Sequence, residues 1–213
     1  MTDITERRRS EEHARQHLAS LEMAVMNTVR MAMQLAEFRD PYTAGHERRV
    51  AEIAVAIGRE IGFDDERLKG LRVAGFLHDV GKVTVPIEIL VKPGRLTPLE
   101  FQMIQGHAQA GYDVLNHVAF PWPVAEVARQ HHERMDGSGY PRGLRGDEVL
   151  LEARVLAVAD VVEAMTSHRP YRPALGLECA LAENARGRGT IYDAQVTDAC
   201  HRLFRGNRMV LPD

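Results

Sequence analysis

The sequence has few cysteines, no long apolar run and no excess of positive charge. Cys179 and Cys200 are the only cysteines among 213 residues, too few for a disulfide framework, so we expect both to be buried apolar side chains in a reducing compartment. No segment is typical of a secretory signal or long enough to span a bilayer, which predicts a cytoplasmic protein without a membrane span. The formal net charge of −3 argues against a nucleic-acid polymer as partner, but it permits a small anionic ligand held by a local basic cluster.

Alternating apolar and polar positions, which would indicate strands, are also missing, as are internal repeats. Apolar residues instead recur every three or four positions, in segments separated by proline and glycine. Helix starts are predicted at Thr43 after the break at Pro41, at Asp64, and at the capping box Thr97–Glu100. A chain of this length can bury a sizeable core. We therefore predict an all-α fold, a helical bundle behind one long N-terminal helix.

The N-terminal helix has the apolar spacing of a coiled coil. The seam positions are Leu18, Leu21, Val25, Thr28, Ala32 and Leu35. Because Thr28 and Ala32 weaken this seam, we expect a homodimer of modest affinity, and a helix packed on its own domain is the alternative. The predicted organisation is a signalling and dimerisation helix at 1–36 followed by a catalytic domain at 37–213.

Histidine and aspartate side chains occur within or at the ends of the apolar helical segments. These residues are His46, His78, Asp79, His107, His131, His132 and Asp160. An unpaired imidazole or carboxylate in such a setting is costly to bury, and divalent cations would compensate for all of them. Any one histidine on an apolar face is more often a satisfied core residue, but seven such residues favour a site for two ions such as iron, manganese or zinc. A shared carboxylate can bridge two ions.

Residues 131–141, HHERMDGSGYP, carry the most distinctive pattern, because a helix end with two histidines runs directly into a glycine-rich turn. Together with FLHDVGK, PYTAGHERRV, KPGRLTPLEF, GYPRGL and AVADVVEAMTSHRPYR, this stretch resembles the HD-GYP domain of the HD phosphohydrolase superfamily. The resemblance runs from about Glu37 to Leu203. It implies an HD-domain helical bundle and an enzyme that hydrolyses the bacterial second messenger cyclic di-GMP to linear pGpG, in some members on to GMP.

The resemblance also implies how the metal ligands are shared. The first ion would be held by His46, His78, Asp79 and Asp160, and the second by His107, His131 and His132 with Asp79 bridging. Some family members bind a third ion through a glutamate four residues before the first histidine, but Tyr42 stands there in this chain. We therefore expect two divalent ions, iron or manganese.

Ligand contacts follow from the same resemblance. The residues concerned are Lys82, Gly139, Tyr140, Glu163, Arg169 and Arg172, and Lys82 and Asp79 are the expected catalytic residues. Lys82 would reach a phosphate, Tyr140 would stack on or hydrogen-bond to a base, and Gly139 would leave room for close approach. Glu163 stands where many members have aspartate. Without the resemblance, Lys82 and the two arginines would be interpreted as ordinary surface charges.

The chemistry implied is metal-assisted hydrolysis, in which a water between the two ions loses a proton and attacks phosphorus. One alternative is a catalytically weak module that binds cyclic di-GMP or docks to proteins such as GGDEF cyclases. Others are a hydrolase of another cyclic dinucleotide, such as cyclic GMP-AMP, or an HD hydrolase acting on a different nucleotide. The opening DITERRRSEE resembles the end of a PAS domain, which implies an upstream PAS sensory partner.

Overall fold

The computed structural model describes residues 2–37, 45–168, 173–206 and 208–211. Within these ranges the chain is helical, with two isolated β-bridges and no sheet, so the all-α prediction is confirmed. The helices are α1 (Thr2–Glu37), α2 (His46–Glu60), α3 (Asp65–Leu77), α4 (Ile87–Leu90), α5 (Pro98–Leu115), α6 (Val124–Gln130), α7 (Leu151–Thr166), α8 (Leu177–Arg186) and α9 (Ala194–Arg205). Two short 3₁₀ segments span Val80–Thr84 and Gly146–Glu148.

The hydrophobic core lies where α2, α3 and α7 pack against one another. Ile53 and Ile57 on α2, Leu71 on α3 and Leu156 on α7 are fully buried there. Helices α5 and α6 pack beside this core, while α8 and α9 close its other side. The core therefore fixes the relative positions of α2, α3 and α7, which carry residues of the predicted metal site.

Side-chain caps define the starts of α3 and α5 where the sequence predicts them. Asp64 accepts a hydrogen bond from the amide of Arg67 at 2.8 Å. At α5, the Thr97 hydroxyl accepts from the amide of Glu100 at 3.3 Å, while the Glu100 carboxylate accepts from the amide of Thr97 at 2.7 Å. These bonds satisfy amides that a helix start leaves unpaired. The predicted cap Thr43 lies outside the described residues.

Two expectations need correction. In residues 82–96, Pro86, Pro93 and Gly94 predict a loop, but this stretch contains α4 and most of the first 3₁₀ segment. The prediction of two buried thiols is wrong for Cys179, which is exposed, and right for Cys200. The reason is that α8 turns Ala180, Leu181 and Asn184 towards the core, so Cys179 falls on its outer face.

Helix α1 uses one face to pack on the domain and leaves part of the predicted coiled-coil seam exposed, while the seam residue Ala32 packs against the core. Val29 and Met33 are buried, and the C-terminal part of α1 packs on α3 and the first 3₁₀ segment. The seam residues Leu21, Val25 and Leu35 are exposed, on a face about 100° away around the helix. Packing on the domain and a free seam therefore coexist in one helix. None of the described helices is both long and apolar enough to cross a membrane.

Gly75 on α3 should be intolerant of substitution, because a Cβ there would lie 2.7 Å from the Cβ of Ala51 and 2.8 Å from its Cα on α2. We expect Gly75→Ala to lower the free energy of unfolding by about 1–3 kcal/mol, as overpacked cores do. The matched control is Gly106→Ala on α5, where a Cβ meets no atom within 4 Å. That change should raise stability by about 0.5–1 kcal/mol. Urea denaturation of the two variants measures both effects, and equal stability would contradict the close α2–α3 contact.

Candidate metal and active site

Five separate elements deliver the seven predicted ligands to one place. His46 begins α2, His78 and Asp79 follow the end of α3, His107 lies on α5, His131 and His132 end α6, and Asp160 lies on α7. The structure brings together two groups whose ligand atoms lie within 4.8 Å of one another. The His46 group contains His46, His78 and Asp79, and the His107 group contains Asp79, His107, His131 and His132. Asp160 joins the first group, with Oδ1 3.2 Å from His46 Nε2.

A glycine brings the Asp79 segment up to α5. A Cβ on Gly81 would lie 2.0 Å from the carbonyl oxygen of His107 and 2.5 Å from the amide nitrogen of Gly111. Any larger residue would push the 3₁₀ segment away from α5. Gly81 thus sets the distance between Asp79 and His107.

Asp79 lies between the two groups and turns one carboxylate oxygen towards each. Its Oδ2 is 3.6 Å from His78 Nε2 and 4.0 Å from His46 Nε2. Its Oδ1 is 3.2 Å from His107 Nε2 and 3.8 Å from His131 Nε2. This is the arrangement that a bridging carboxylate requires.

Three of the histidines are oriented in the same way by the backbone. The Nδ1 atoms of His78, His107 and His131 donate to carbonyl oxygens three residues earlier, at 2.8, 2.6 and 2.6 Å. A carbonyl oxygen only accepts, so Nδ1 carries the proton and Nε2 of the neutral ring presents a lone pair. His107 Nε2 and His131 Nε2 face each other at 3.4 Å, and His78 Nε2 is buried with no hydrogen-bond partner among the described residues.

Burial favours the uncharged form of three of the imidazoles in the site. It lowers the pKa of His78, lowers that of His131 well below its usual range, and lowers that of His132 to about 3. Burial alone would raise the pKa of Asp79, but the adjacent positive charge of Lys82 holds it well below its ordinary value. Neutral imidazoles around an ionised carboxylate are the state in which these groups ligate divalent metals. The residues present therefore fit metal ions as their missing partners.

His46 is held differently, because a carboxylate rather than a carbonyl lies behind it. Its Nδ1 donates to Glu163, and Glu163 also accepts from Arg49 Nε at 2.8 Å and from the Ser167 hydroxyl at 2.6 Å. Burial would lower the pKa of His46, but hydrogen bonds to Asp160 and Glu163 outweigh it and raise the pKa to about 10. A carboxylate behind a ligating histidine fixes its orientation and makes it a stronger ligand.

The position of Glu163 differs from the ligand contact that the sequence predicts. Both of its oxygens are engaged by protein groups, and its side chain is almost completely buried. Burial by itself would raise the pKa of Glu163, yet the contacts with His46, Ser167 and Arg49 lower it to about 2. Glu163 is thus placed to position His46, and its contact with a ligand stays a prediction.

The loop that contains Gly139, Tyr140 and Pro141, called the GYP loop here, folds back onto the end of α6. Glu133 is buried and accepts hydrogen bonds from the amides of Arg142 at 2.8 Å and Leu144 at 3.0 Å. A Cβ on Gly139 would lie 2.4 Å from the amide nitrogen of Arg134 and 2.5 Å from the carbonyl oxygen of His132. Gly139 is therefore explained by contact of the loop with its own helix end, which differs from the expected approach of a ligand.

The other predicted ligand contacts are placed as follows. Lys82 Nζ lies 2.6 Å from Asp79 Oδ2, at the centre of the site. The Tyr140 ring lies over His132, with 4.7 Å between ring centroids. Arg169 and Arg172, and also Tyr42, fall outside the described residues.

Sequence reasoning missed three acidic or basic residues around the cluster. Glu133 holds the loop, and Arg49 holds Glu163. Glu47, next to His46, is buried, and its Oε2 has no hydrogen-bond partner among the described residues. Burial raises the pKa of Glu47 to about 8. For Glu47 and Arg49 on α2 the available indication was the same one that selected the histidines, namely an ionisable residue on a helix with an apolar face, whereas Glu133 lies beyond the end of α6.

An open groove of about 600 Å³ lies beside α8 and α9, away from this cluster, and is lined by Arg188, Thr197 and Arg205 among others. Its arginine Arg188 is paired with Asp198 at 2.7 Å. The groove contains no convergent set of metal ligands, so the chemistry is assigned to the histidine cluster.

Comparison with protein families places the cluster in a known context. A family model described as HD domain matches residues 30–196, a span that includes all seven ligand residues. The chain is also similar to the HD domain of the phosphodiesterase PgpH of L. monocytogenes, with a TM-score of 0.60, 20% sequence identity, and coverage of 84% of this chain and 99% of that one. At that identity the likeness shows a shared fold.

Two curated relatives are similar in sequence. The chain is 36% identical over 219 residues to the cyclic di-GMP phosphodiesterase response regulator RpfG of Xanthomonas campestris pv. campestris, covering 96% of this chain and 57% of RpfG. It is 36% identical over 213 residues to the 3'3'-cGAMP-specific phosphodiesterase 3 of Vibrio cholerae, covering 100% of this chain and 45% of that protein. The chain spans about half the length of the curated relatives it matches.

The position of Glu163 generates a prediction about metal affinity. Glu163→Gln keeps the size of the side chain but removes the charge behind His46, and the loss of such a partner typically weakens metal binding about 10–100-fold. The control is Glu152→Gln on the same helix, where the carboxylate pairs with Arg67 at 2.8 Å away from the cluster. Calorimetric titration of metal-free protein with Mn²⁺ measures both. Equal affinities in the two variants would show that Glu163 does not act through His46.

Proposed function

The chain belongs to the HD domain family, as its sequence predicts, and from that membership we propose that it is a metal-dependent phosphodiesterase that hydrolyses cyclic di-GMP to pGpG. The observation that carries the proposal is the convergence of three imidazole lone pairs on the Asp79 carboxylate. We infer the substrate from relatives that are named cyclic di-GMP phosphodiesterases. Continuation from pGpG to GMP is part of the same proposal.

We propose two divalent ions, iron or manganese, as the cofactors. Imidazole together with carboxylate suits these metals better than magnesium or calcium. The His46 group with Asp160 would hold one ion, the His107 group would hold the other, and Asp79 offers an oxygen to each. When bound, the ions supply an acidified water and positive charge that offsets charge on the phosphoryl oxygens.

The protein's own residues would position the substrate around this centre. Lys82, beside Asp79, is placed to bind a phosphoryl oxygen of the scissile phosphodiester. Backbone carbonyls and Glu163 fix the orientation of four imidazoles before the ligand arrives, so little reorganisation accompanies the reaction. We assign Arg169 and Arg172 to phosphate or guanine contacts, on the strength of the family resemblance.

A second substrate, 3'3'-cyclic GMP-AMP, has a specific observation in its favour. The relative from Vibrio cholerae that is named specific for 3'3'-cGAMP matches 100% of this chain at 36% identity, as high as the identity to RpfG. The two cyclic dinucleotides differ in one base and share their phosphodiester chemistry. The histidine cluster would therefore serve either of them, and the groups around the bases would decide between them.

The central role of Asp79 can be tested by metal analysis beside a turnover assay. Asp79→Ala removes the carboxylate that the two groups share, so we expect bound metal and hydrolysis of cyclic di-GMP to be lost together while helical content is retained. Asp198→Ala on α9 is the control, since that carboxylate lies away from the cluster, paired with Arg188.

Mass spectrometry of the purified proteins gives the metal content, and chromatography of the nucleotides gives turnover. If wild-type protein holds two ions and binds cyclic di-GMP without forming product, the proposed enzymatic activity is refuted. That result would support the alternative, a catalytically weak module that binds cyclic di-GMP. Turnover of cyclic GMP-AMP in preference to cyclic di-GMP would select the second substrate.

We also propose that residues 1–36 form a dimerisation helix. The support is the exposed seam of Leu21, Val25 and Leu35, which the packing of Val29 and Met33 on the domain leaves free. Burying such a seam against a second copy removes apolar surface from water. The PAS-like opening of the sequence supports an upstream sensory domain, and docking to a GGDEF cyclase stays a prediction from the family resemblance.

The dimer proposal can be tested with two variants that place the same charge on different faces of α1. Leu21→Glu places a carboxylate in the seam, whereas Met23→Glu places it on another face at a residue that is equally exposed, 64% in both cases. We expect the first change to weaken dimerisation at least about tenfold, because a charge at a seam position must be desolvated. Analytical ultracentrifugation measures the affinity. Equal effects of the two substitutions would exclude this seam as the interface.

A further inference from the structure

An exposed aromatic residue, Phe101, stands at the edge of the histidine cluster. Its ring meets Tyr140 edge to face, with 6.4 Å between centroids and 83° between planes. Tyr140 in turn packs on His132, with 4.7 Å between centroids and 31° between planes. One face of Tyr140 is thus covered by a predicted metal ligand, while Phe101 remains 48% exposed.

Phe101 is held on a rigid turn. It lies in the first turn of α5, and its amide donates to the carbonyl of Thr97 at 2.9 Å. The residue before it, Glu100, closes the capping box with Thr97 and pairs with Lys92 at 2.7 Å. Because the backbone that carries the ring is already ordered, less conformational entropy is lost when a ligand packs on it. Exposed aromatic area on a rigid support is favourable for binding a flat partner.

The distance from Phe101 to the cluster suits a nucleotide. Phe101 and His107 are both on α5, six residues apart, which places them about 9 Å apart along the helix axis. The rings of Phe101 and His107 both lie against Tyr140, with 6.4 Å between centroids in each case, so Phe101 is within a nucleotide's length of a phosphate bound at His107. Aromatic side chains bind nucleic-acid bases by stacking, whichever base is present.

We propose that Phe101 and Tyr140 form a base subsite in which a purine base of the ligand stacks on Phe101. The inference rests on the proposed function, which places a phosphate at the cluster. It changes the expected role of Tyr140, since the covered ring would border the subsite and support it. Because stacking tolerates any base, Phe101 would hold guanine or adenine alike, and it would contribute affinity without choosing between cyclic di-GMP and cyclic GMP-AMP.

The test compares ligands with and without a base. Binding of GMP and of ribose 5-phosphate to metal-loaded protein is measured by calorimetry, and KM and kcat are measured with cyclic di-GMP. Phe101→Ala should weaken GMP binding about 5–150-fold, the range for loss of one stacked base, and raise KM with kcat little changed. Binding of ribose 5-phosphate and the metal content should stay at the wild-type level.

Two further variants make the result specific. Phe101→Trp keeps a stacking surface and should bind GMP at least as tightly as the wild type. Leu99→Ala removes a more exposed apolar side chain from the same turn, 68% exposed, and should change nothing. An equal loss in Leu99→Ala would overturn the subsite in favour of a general apolar surface at the start of α5.

Failure of the inference and failure of the proposed function give different results. If Phe101→Ala binds GMP like the wild type while cyclic di-GMP is hydrolysed, the subsite is wrong and the function stands. If Phe101→Ala weakens GMP and ribose 5-phosphate equally, the substitution acts on the phosphate site, and the subsite is again wrong. If wild-type protein neither binds GMP nor hydrolyses cyclic dinucleotides, both proposals fall.

Discussion

The main constraint on the structure is that imidazole lone pairs and the negative charge of Asp79 repel one another inside the protein and must be held together by the fold. Three imidazoles turn unprotonated nitrogens towards each other and towards Asp79, because backbone carbonyls hold their protons on the far side. Folding alone gains little from this arrangement, since it removes polar groups from water and leaves His78 Nε2 and Asp79 Oδ1 without a hydrogen-bonding partner among the described residues. The rest of the domain therefore holds these groups in place, and their arrangement is suited to binding a cation.

Close contacts between backbones impose that geometry. Gly81 lets the segment after α3 touch α5, Gly75 lets α3 lie against α2, and Gly139 lets the loop lie on the end of α6. Each contact fixes one of the elements that carry a ligand, and a side chain at any of these positions would displace that element. The buried carboxylates Glu133 and Glu163 complete the frame by binding backbone amides in one case and His46 in the other.

The sequence allowed prediction of the helices, of the capped starts of α3 and α5 and of the seven residues that converge. These follow from local periodicity and from ionisable residues on apolar faces. The role of Glu163 could not be predicted, because it depends on α7 meeting α2 across 117 positions of the chain. The contact made by Gly139 could not be predicted for a related reason, since its neighbour is the protein's own backbone, and its approach to a ligand stays a prediction. Cys179 was assigned to the core by residue type, whereas the face of α8 on which it lies decides its exposure.

Helix α1 has a mechanical consequence for the metal site. It is a continuous rod from Thr2 to Glu37, and its inner end rests on α3 and on the 3₁₀ segment that follows Asp79 and contains Lys82. A twist applied at the outer end would act on the buried Val29 and Met33, at the end of the helix that packs on those two elements. A movement of helix α1 would therefore act on the segment that adjoins Asp79, the carboxylate that faces both ligand groups.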